Sequence, residues 1–244
     1  MLMKRLLLCF FVLFSLHSTA QVTSVKLDQN TVVKDTAGVV YPAAVWQTLL
    51  RKGSHKLQSI DPRNPSAGFY LVPQGVEERE KRLAAMPKPR PSESFRTGAK
   101  LPLFNTTDIN GNKLKLRDAK GKIIVMNFWF IGCKPCRMEM PELNEMVASF
   151  EGNDNVIFVG YALDQRAALK DFLKENPFDY SIVENSRYEA GKYGVKLFPT
   201  HVVIDPEGKV FFHTEGLAPN TVYWVKKSIN ELLASYAVKS AAMN

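Results

Sequence analysis

The 244-residue chain carries 32 Lys and Arg against 24 Asp and Glu, a formal net charge of +8, and 45% of its residues are hydrophobic. That balance provides for a real core and excludes a disordered polyelectrolyte. The basic residues are spread along the chain without a dense cluster, which argues against a nucleic-acid-binding face.

Lys4 and Arg5 precede an apolar stretch from Leu6 to Leu16 and then Ser18-Thr19-Ala20. This reads as a secretory signal peptide over residues 1–20, cleaved before Gln21. The stretch is too short to span a bilayer. The expected compartment is therefore outside the cytoplasm; an uncleaved anchor would be the chain's only membrane contact. Cys9 lies inside the apolar run behind bulky Leu8, which does not suit a lipoprotein site.

Residues 21–83 read as an extension or small subdomain. Pro42 near a helix start, apolar Val45, Leu49 and Leu50, and Gly53 as a stop predict a short helix. Residues 68–73 suit a strand and 75–86 a charged helix, and His55 a surface position. Residues 84–98 alternate Pro87, Pro89 and Pro91 with charges, a pattern expected of a linker.

Residues 99–238 show a regular alternation of strands and helices, ahead of a tail at 239–244. Asn110-Gly111 predicts a hairpin turn. Ile123 to Trp129 is an apolar run suited to a strand buried on both faces. A helix begins near Pro135, carries Met140, Leu143, Val147 and Phe150 on one face, and should kink at Pro141. Residues 156–163 form a second buried strand, 167–175 a helix, 180–183 a short strand and 187–193 another helix. Strands at 200–204 and 210–213 and a helix from Thr221 to about Tyr236 complete an α/β pattern with a mixed sheet.

Once the leader is removed, Cys133 and Cys136 are the only cysteines and must pair with each other or react outward. As a clip the bond is poor: closing so short a loop is worth only about 2 kcal/mol. Position argues for reactivity. A cysteine just before a helix meets unpaired N–H groups and the positive end of the helix dipole, both of which stabilise a thiolate at Cys133. Lys134 adds positive charge, and Cys136, inside the helix, is expected to be the more buried, resolving thiol.

The stretch from Val125 to Asn144 resembles the active-site strand and helix of the thioredoxin superfamily, kinked Pro141 included. It is most similar to the exported TlpA/ResA-like branch, an AhpC/TSA/redoxin-type thioredoxin domain. The similarity runs from about Phe95 to Ala234 and rests on Trp129, Cys133-Lys134-Pro135-Cys136, Glu139, Pro141 and Phe198-Pro199-Thr200 together. It implies a thioredoxin-like fold: a mixed central sheet flanked by helices, with a hairpin before it and the additional N-terminal extension.

The resemblance also implies roles. Pro199 would be held cis beside the dithiol, exposing backbone of Phe198 to an extended substrate; Lys134, Pro135, Phe198, Pro199 and Thr200 would form the substrate-binding set. Trp129, grouped with them, is expected chiefly to shield the pair by packing. Thioredoxins carry a buried aspartate two residues before this tryptophan, where the chain has Asn127, which cannot accept the resolving thiol's proton. The TlpA/ResA-like branch places a glutamate three residues after the second cysteine, and Glu139 stands there; the alternative is that Glu139 merely solvates the first helical turn.

The implied activity is thiol-disulfide exchange through the Cys133–Cys136 redox pair, with no cofactor and no metal. The favoured direction is reduction of disulfide-containing substrate proteins, fed by a membrane thiol transporter, in the periplasm or cell envelope of a bacterium. A disulfide-donating oxidase runs the same chemistry backwards. A carrier of a soft ion such as Cu(I), bound by both thiolates with His201 or His213 assisting, is the reading from another class. Covalent haem is disfavoured by Arg137, where histidine is required, and a peroxiredoxin by Phe130, where threonine is required.

Overall fold

The computed structural model describes residues 27–51 and 53–242, so the signal-peptide reading and Cys9 lie outside the described residues. In chain order the elements are β1 (Val33–Lys34), α1 (Ala43–Arg51), β2 (His55–Ser59), β3 (Phe69–Pro73), α2 (Val76–Ala85), β4 (Thr106–Thr107), β5 (Lys113–Leu114), β6 (Ile123–Trp129), α3 (Lys134–Ala148), β7 (Val156–Ala162), α4 (Arg166–Glu175), β8 (Ser181–Val183), α5 (Arg187–Lys192), β9 (Thr200–Ile204), β10 (Val210–Glu215) and α6 (Thr221–Ala242). They fall into two compact units, one within Met1–Gln47 and Leu57–Val72, the other within Thr48–Lys56 and Pro73–Asn244.

In the smaller unit β1 pairs parallel with β3, Val33 opposite Phe69, in a three-stranded sheet of order β1-β3-β2. Val33, Trp46 and Leu71 are its buried apolar side chains. Neither β1 nor β2 was evident in the sequence: β1 is two residues long, and His55-Lys56-Leu57-Gln58-Ser59 offers one aliphatic side chain.

The larger unit is built on a five-stranded sheet of order β10-β9-β6-β7-β8. Strands β6, β7 and β8 run parallel, and β9 is antiparallel to both β6 and β10. All seven residues of β6 are buried, as its unbroken apolar run requires. Alternation along it divides the core. Ile123, Val125 and Trp129 join residues of α3, α4 and α6 on one face, whereas Ile124, Met126 and Phe128 join Phe95, Tyr161, Ala190 and Tyr193 on the other. Asn127 shares the parity of Val125 and Trp129, which puts one polar side chain on the α3 face.

The hairpin of β4 and β5 closes through Gly111 at φ 91°, with Asp108 accepting the N–H groups of Asn110 and Asn112. The Pro-rich segment is tied along β10. Arg90 O accepts the Glu215 N–H and the Thr214 hydroxyl, Ser92 N–H donates to His213 Nδ1, and Gly98 N–H donates to Val210 O. β10 reaches Glu215, two residues past the expected end, because Thr214 and Glu215 stay in register with His201 and Thr200 of β9; the buried Glu215 carboxylate lies 3.2 Å from the Arg90 guanidinium. Likewise α6 continues past Tyr236 to Ala242, no glycine or proline being present to stop it. Among the described residues no helix is long and apolar enough to cross a membrane.

Candidate active site

The site forms where β6 ends and α3 begins. Buried Trp129 closes the strand, packing against Phe172 and edge-on to Phe178 at 5.6 Å. The chain then turns. Ile131 N–H donates to Asp164 Oδ2 at 2.7 Å, and Cys133 N–H to Phe130 O at 3.0 Å, which holds the loop against the end of β7. Asp164 carried no signal in the sequence beyond being a lone aspartate after a strand.

Cys133 is the N-cap of α3 and is joined to Cys136 by a disulfide, with the Cα atoms 5.3 Å apart. Cys133 Sγ also accepts the Cys136 N–H at 3.2 Å, so the sulfur occupies the place where helix-end donors converge. The first turn holds no acidic residue to oppose this, and Lys134 is exposed beside it. Burial separates the cysteines less than expected: Cys133 is 5% exposed and Cys136 3%.

Glu139, one turn beyond Cys136 on the same helix, is 5% exposed and so is not a solvated first-turn carboxylate. Its Oε2 lies 2.9 Å from His201 Nε2, while Oε1 is buried without a hydrogen-bond partner. His201 lies directly opposite Asn127 in the β6–β9 register, and Asn127 Nδ2 is 3.1 Å from His201 Nδ1 and 3.3 Å from Nε2. An asparagine, an imidazole and a carboxylate thus form a contiguous buried chain ending one turn from the resolving cysteine. In the sequence His201 figured only as an assisting ligand in the soft-ion reading, not as a partner of Glu139. The available signal was parity, since His201 and Val203 alternate on β9 and must face α3 together.

Nearby groups share the desolvation. Burial, and after it the Glu139 charge, push the Tyr180 phenol above its ordinary range. Burial also raises the Glu142 carboxyl, against the opposing pull of Arg79, with which it forms an ion pair. The hydroxyl of Tyr180 and Nε1 of Trp129 are buried without hydrogen-bond partners.

The second loop of the site carries Phe198 and Pro199, joined by a cis peptide bond. Pro199 O accepts the Gly216 N–H at 2.8 Å, and the Phe198 ring meets Phe130 edge-on at 5.4 Å. Thr200 is completely buried, its hydroxyl donating to Leu197 O at 2.7 Å. Of the residues grouped for substrate contact, Trp129 and Thr200 are therefore inaccessible, Pro199 is buried, Lys134 is exposed, and Pro135 and Phe198 are half-buried.

The histidines weighed as soft-metal ligands are engaged elsewhere and on opposite sheet faces. His201 is bound to Glu139, and His213 accepts Ser92 N–H at 3.1 Å. Among the described residues no group of three or more His, Cys, Asp or Glu is placed to hold a metal ion.

The chain is similar to known proteins. A profile of the AhpC/TSA family matches residues 97–213. Thiol-disulfide oxidoreductase ResA of Bacillus thuringiensis (strain Al Hakam) is 34% identical over 119 residues, 48% of this chain and 69% of the relative. ResA of Bacillus subtilis (strain 168) is 32% identical over 119 residues, 48% of this chain and 66% of the relative. A crystal structure from Chlorobium tepidum, assigned as thiol:disulfide interchange protein DsbE, is 28% identical with a TM-score of 0.52, spanning 57% of this chain and 99% of that one. A cysteine pair at a helix N-terminus, a cis-proline loop beside it and these matches lead to one conclusion: the chain belongs to the AhpC/TSA thioredoxin-like family, among its ResA-type thiol-disulfide oxidoreductases.

Proposed function

We propose that the chain is an exported reductase of protein disulfides, working through the Cys133–Cys136 pair as its only redox group. The observation that carries the exchange chemistry in this reading is the position of Cys133 Sγ at the N-terminus of α3, accepting the Cys136 N–H at 3.2 Å, where a thiolate is stabilised by helix-end donors; the reducing direction is a separate part of the proposal, tested by the potential of the pair.

In the reduced protein the Cys133 thiolate attacks a substrate disulfide, forming a mixed disulfide and releasing one substrate thiolate, which takes a proton from solvent. Cys136 loses its proton to Glu139 and attacks Cys133 Sγ. The bond to substrate breaks, the Cys133–Cys136 bond forms, and two electrons have passed to the substrate. Glu139 supports this because it offers a buried carboxylate with one unpartnered oxygen one turn from Cys136. Substrate would be held across Lys134, Pro135 and the Phe198–Pro199 loop by strand addition. Exposed Met138 and Leu197, close in sequence to the cysteines and to that loop, and exposed Leu217, next to Gly216 whose N–H donates to Pro199 O, offer apolar contact to a polypeptide. A membrane thiol transporter returns the electrons in the periplasm or cell envelope.

Reduction of insulin's inter-chain disulfides by the protein, regenerated with dithiothreitol, tests the reading. Cys133→Ser is expected to fall to the uncatalysed background, and Cys136→Ser to accumulate a stable mixed disulfide visible by mass. Adducts forming on Cys136 in the Cys133→Ser protein at the wild-type rate would reverse the assignment of attacking and resolving thiols.

A further inference from the structure

The row Gly160, Asn127, His201, Thr214 crosses β7, β6, β9 and β10 at one register level, on the face covered by α3. His201 is completely buried and nevertheless polar, and its two ring nitrogens are placed differently: Asn127 Nδ2 is nearer to Nδ1 than to Nε2, 3.1 Å against 3.3 Å, and only Nε2 meets Glu139. Nε2 is 2.9 Å from Glu139 Oε2, an acceptor, and Nδ1 is 3.1 Å from Asn127 Nδ2, a donor. One protonation state of a neutral ring satisfies both: a proton on Nε2 and a lone pair on Nδ1. Asparagine at position 127 fits that state, because its amide donates to Nδ1 and carries no charge that would draw the ring proton across.

We propose that His201 is a positioning residue of the redox step: fixed by Asn127 as the Nε2–H tautomer, it anchors Glu139 through Oε2 and keeps Oε1 free, as a carboxylate, to take the proton of Cys136. This rests on the exchange chemistry proposed above. Without the His201 N–H, the Glu139 carboxylate loses its hydrogen-bond donor in a buried site, and its ionised form becomes harder to maintain. The titratable groups facing Glu139 are His201 from β9, Tyr180 from the segment before β8, and Glu142 on its own helix, itself paired with Arg79 of α2. Neither Tyr180 nor Glu142 contributes a positive charge, which leaves His201 as the stabilising partner at Oε2.

The test uses the reduced protein from Gln21 onward, whose only cysteines are Cys133 and Cys136, and the aromatic disulfide DTNB in stopped flow. Attack by Cys133 releases one thionitrobenzoate, and attack by Cys136 on the resulting adduct releases the second, so the second phase isolates the resolving step. In His201→Ala the acid limb of the second phase is expected to move up by about one pH unit, with the first phase changed by no more than about twofold. His201→Gln, which keeps an N–H donor, is expected to recover part of the shift. In Glu139→Gln the limb is expected to be lost, and adding His201→Ala should then move nothing.

A His201→Ala profile that superimposes on wild type overturns the inference, as does a uniform slowing of both phases or an equal shift in the Glu139→Gln background. Should His201→Ala fail to fold, ¹⁵N spectra of the wild-type histidines decide independently: a proton on Nε2 is expected, and one on Nδ1 contradicts the proposal. If wild type never releases the second thionitrobenzoate, the redox reading itself falls and this inference with it, whereas two equivalents with an unmoved His201→Ala profile remove only the role of His201.

Discussion

At the scale of single residues, the active-site end of the molecule is held by large side chains that meet a missing one. Gly160 pairs with Asn127 across β6 and β7, and a Cβ there would lie 2.8 Å from Ile182 Cδ1 and 3.2 Å from Trp129 Nε1. A larger residue must displace the end of the Ile182 side chain and crowd the tryptophan behind the cysteines, since the interior is already close-packed. Gly160→Val is expected to cost about 1–3 kcal/mol in denaturant unfolding, with exchange activity falling further than stability accounts for. Trp129→Ala, which empties a fully buried site, is expected to cost about 3–5 kcal/mol. The cysteine pair, Glu139 and Pro199 were all legible in the sequence because their spacing is local or motif-bound. His201 and Asp164 were not, since their partners lie 62 and 33 residues away and only the strand register brings them together.

At the scale of elements, β6, α3, β7 and β9 could be read almost to their ends, each having an unbroken apolar run or a clear helical face. The Pro-rich segment was harder. Its prolines remove donors and suggest a linker, but the carbonyl of Arg90 and the amides of Ser92 and Glu93 find partners on β10. The His213 end of this contact is sensitive to pH. Burial lowers the His213 pKa below its ordinary 6.5, with Glu215 pulling the other way, and the Ser92 N–H bond needs an unprotonated Nδ1. The unfolded chain then takes up this proton more readily than the folded one. The stabilisation is in full above pH 6.5 and is lost as pH falls from there through the lowered folded value. Amide protection factors of Ser92 and Glu93 are expected to fall across that window in wild type and to lose the dependence in His213→Gln. Constant protection from neutral pH to pH 5 would contradict this account.

At the scale of the whole molecule, one helix N-terminus carries the disulfide, the cis-proline loop of β9 stands beside it, and a buried Asn127–His201–Glu139 chain lies behind. These parts permit exchange in either direction, and the equilibrium between dithiol and disulfide decides which one the protein drives. Donors at the α3 N-terminus favour the Cys133 thiolate and therefore the reduced form, whereas burial of both sulfurs opposes the charge. The measurement that weighs these terms is the reduction potential of the Cys133–Cys136 couple at pH 7, by equilibration of the purified protein against defined dithiol buffers. A reductase requires a value near that of thioredoxin, about −270 mV, whereas a value near about −120 mV would contradict the account and make the protein a donor of disulfides.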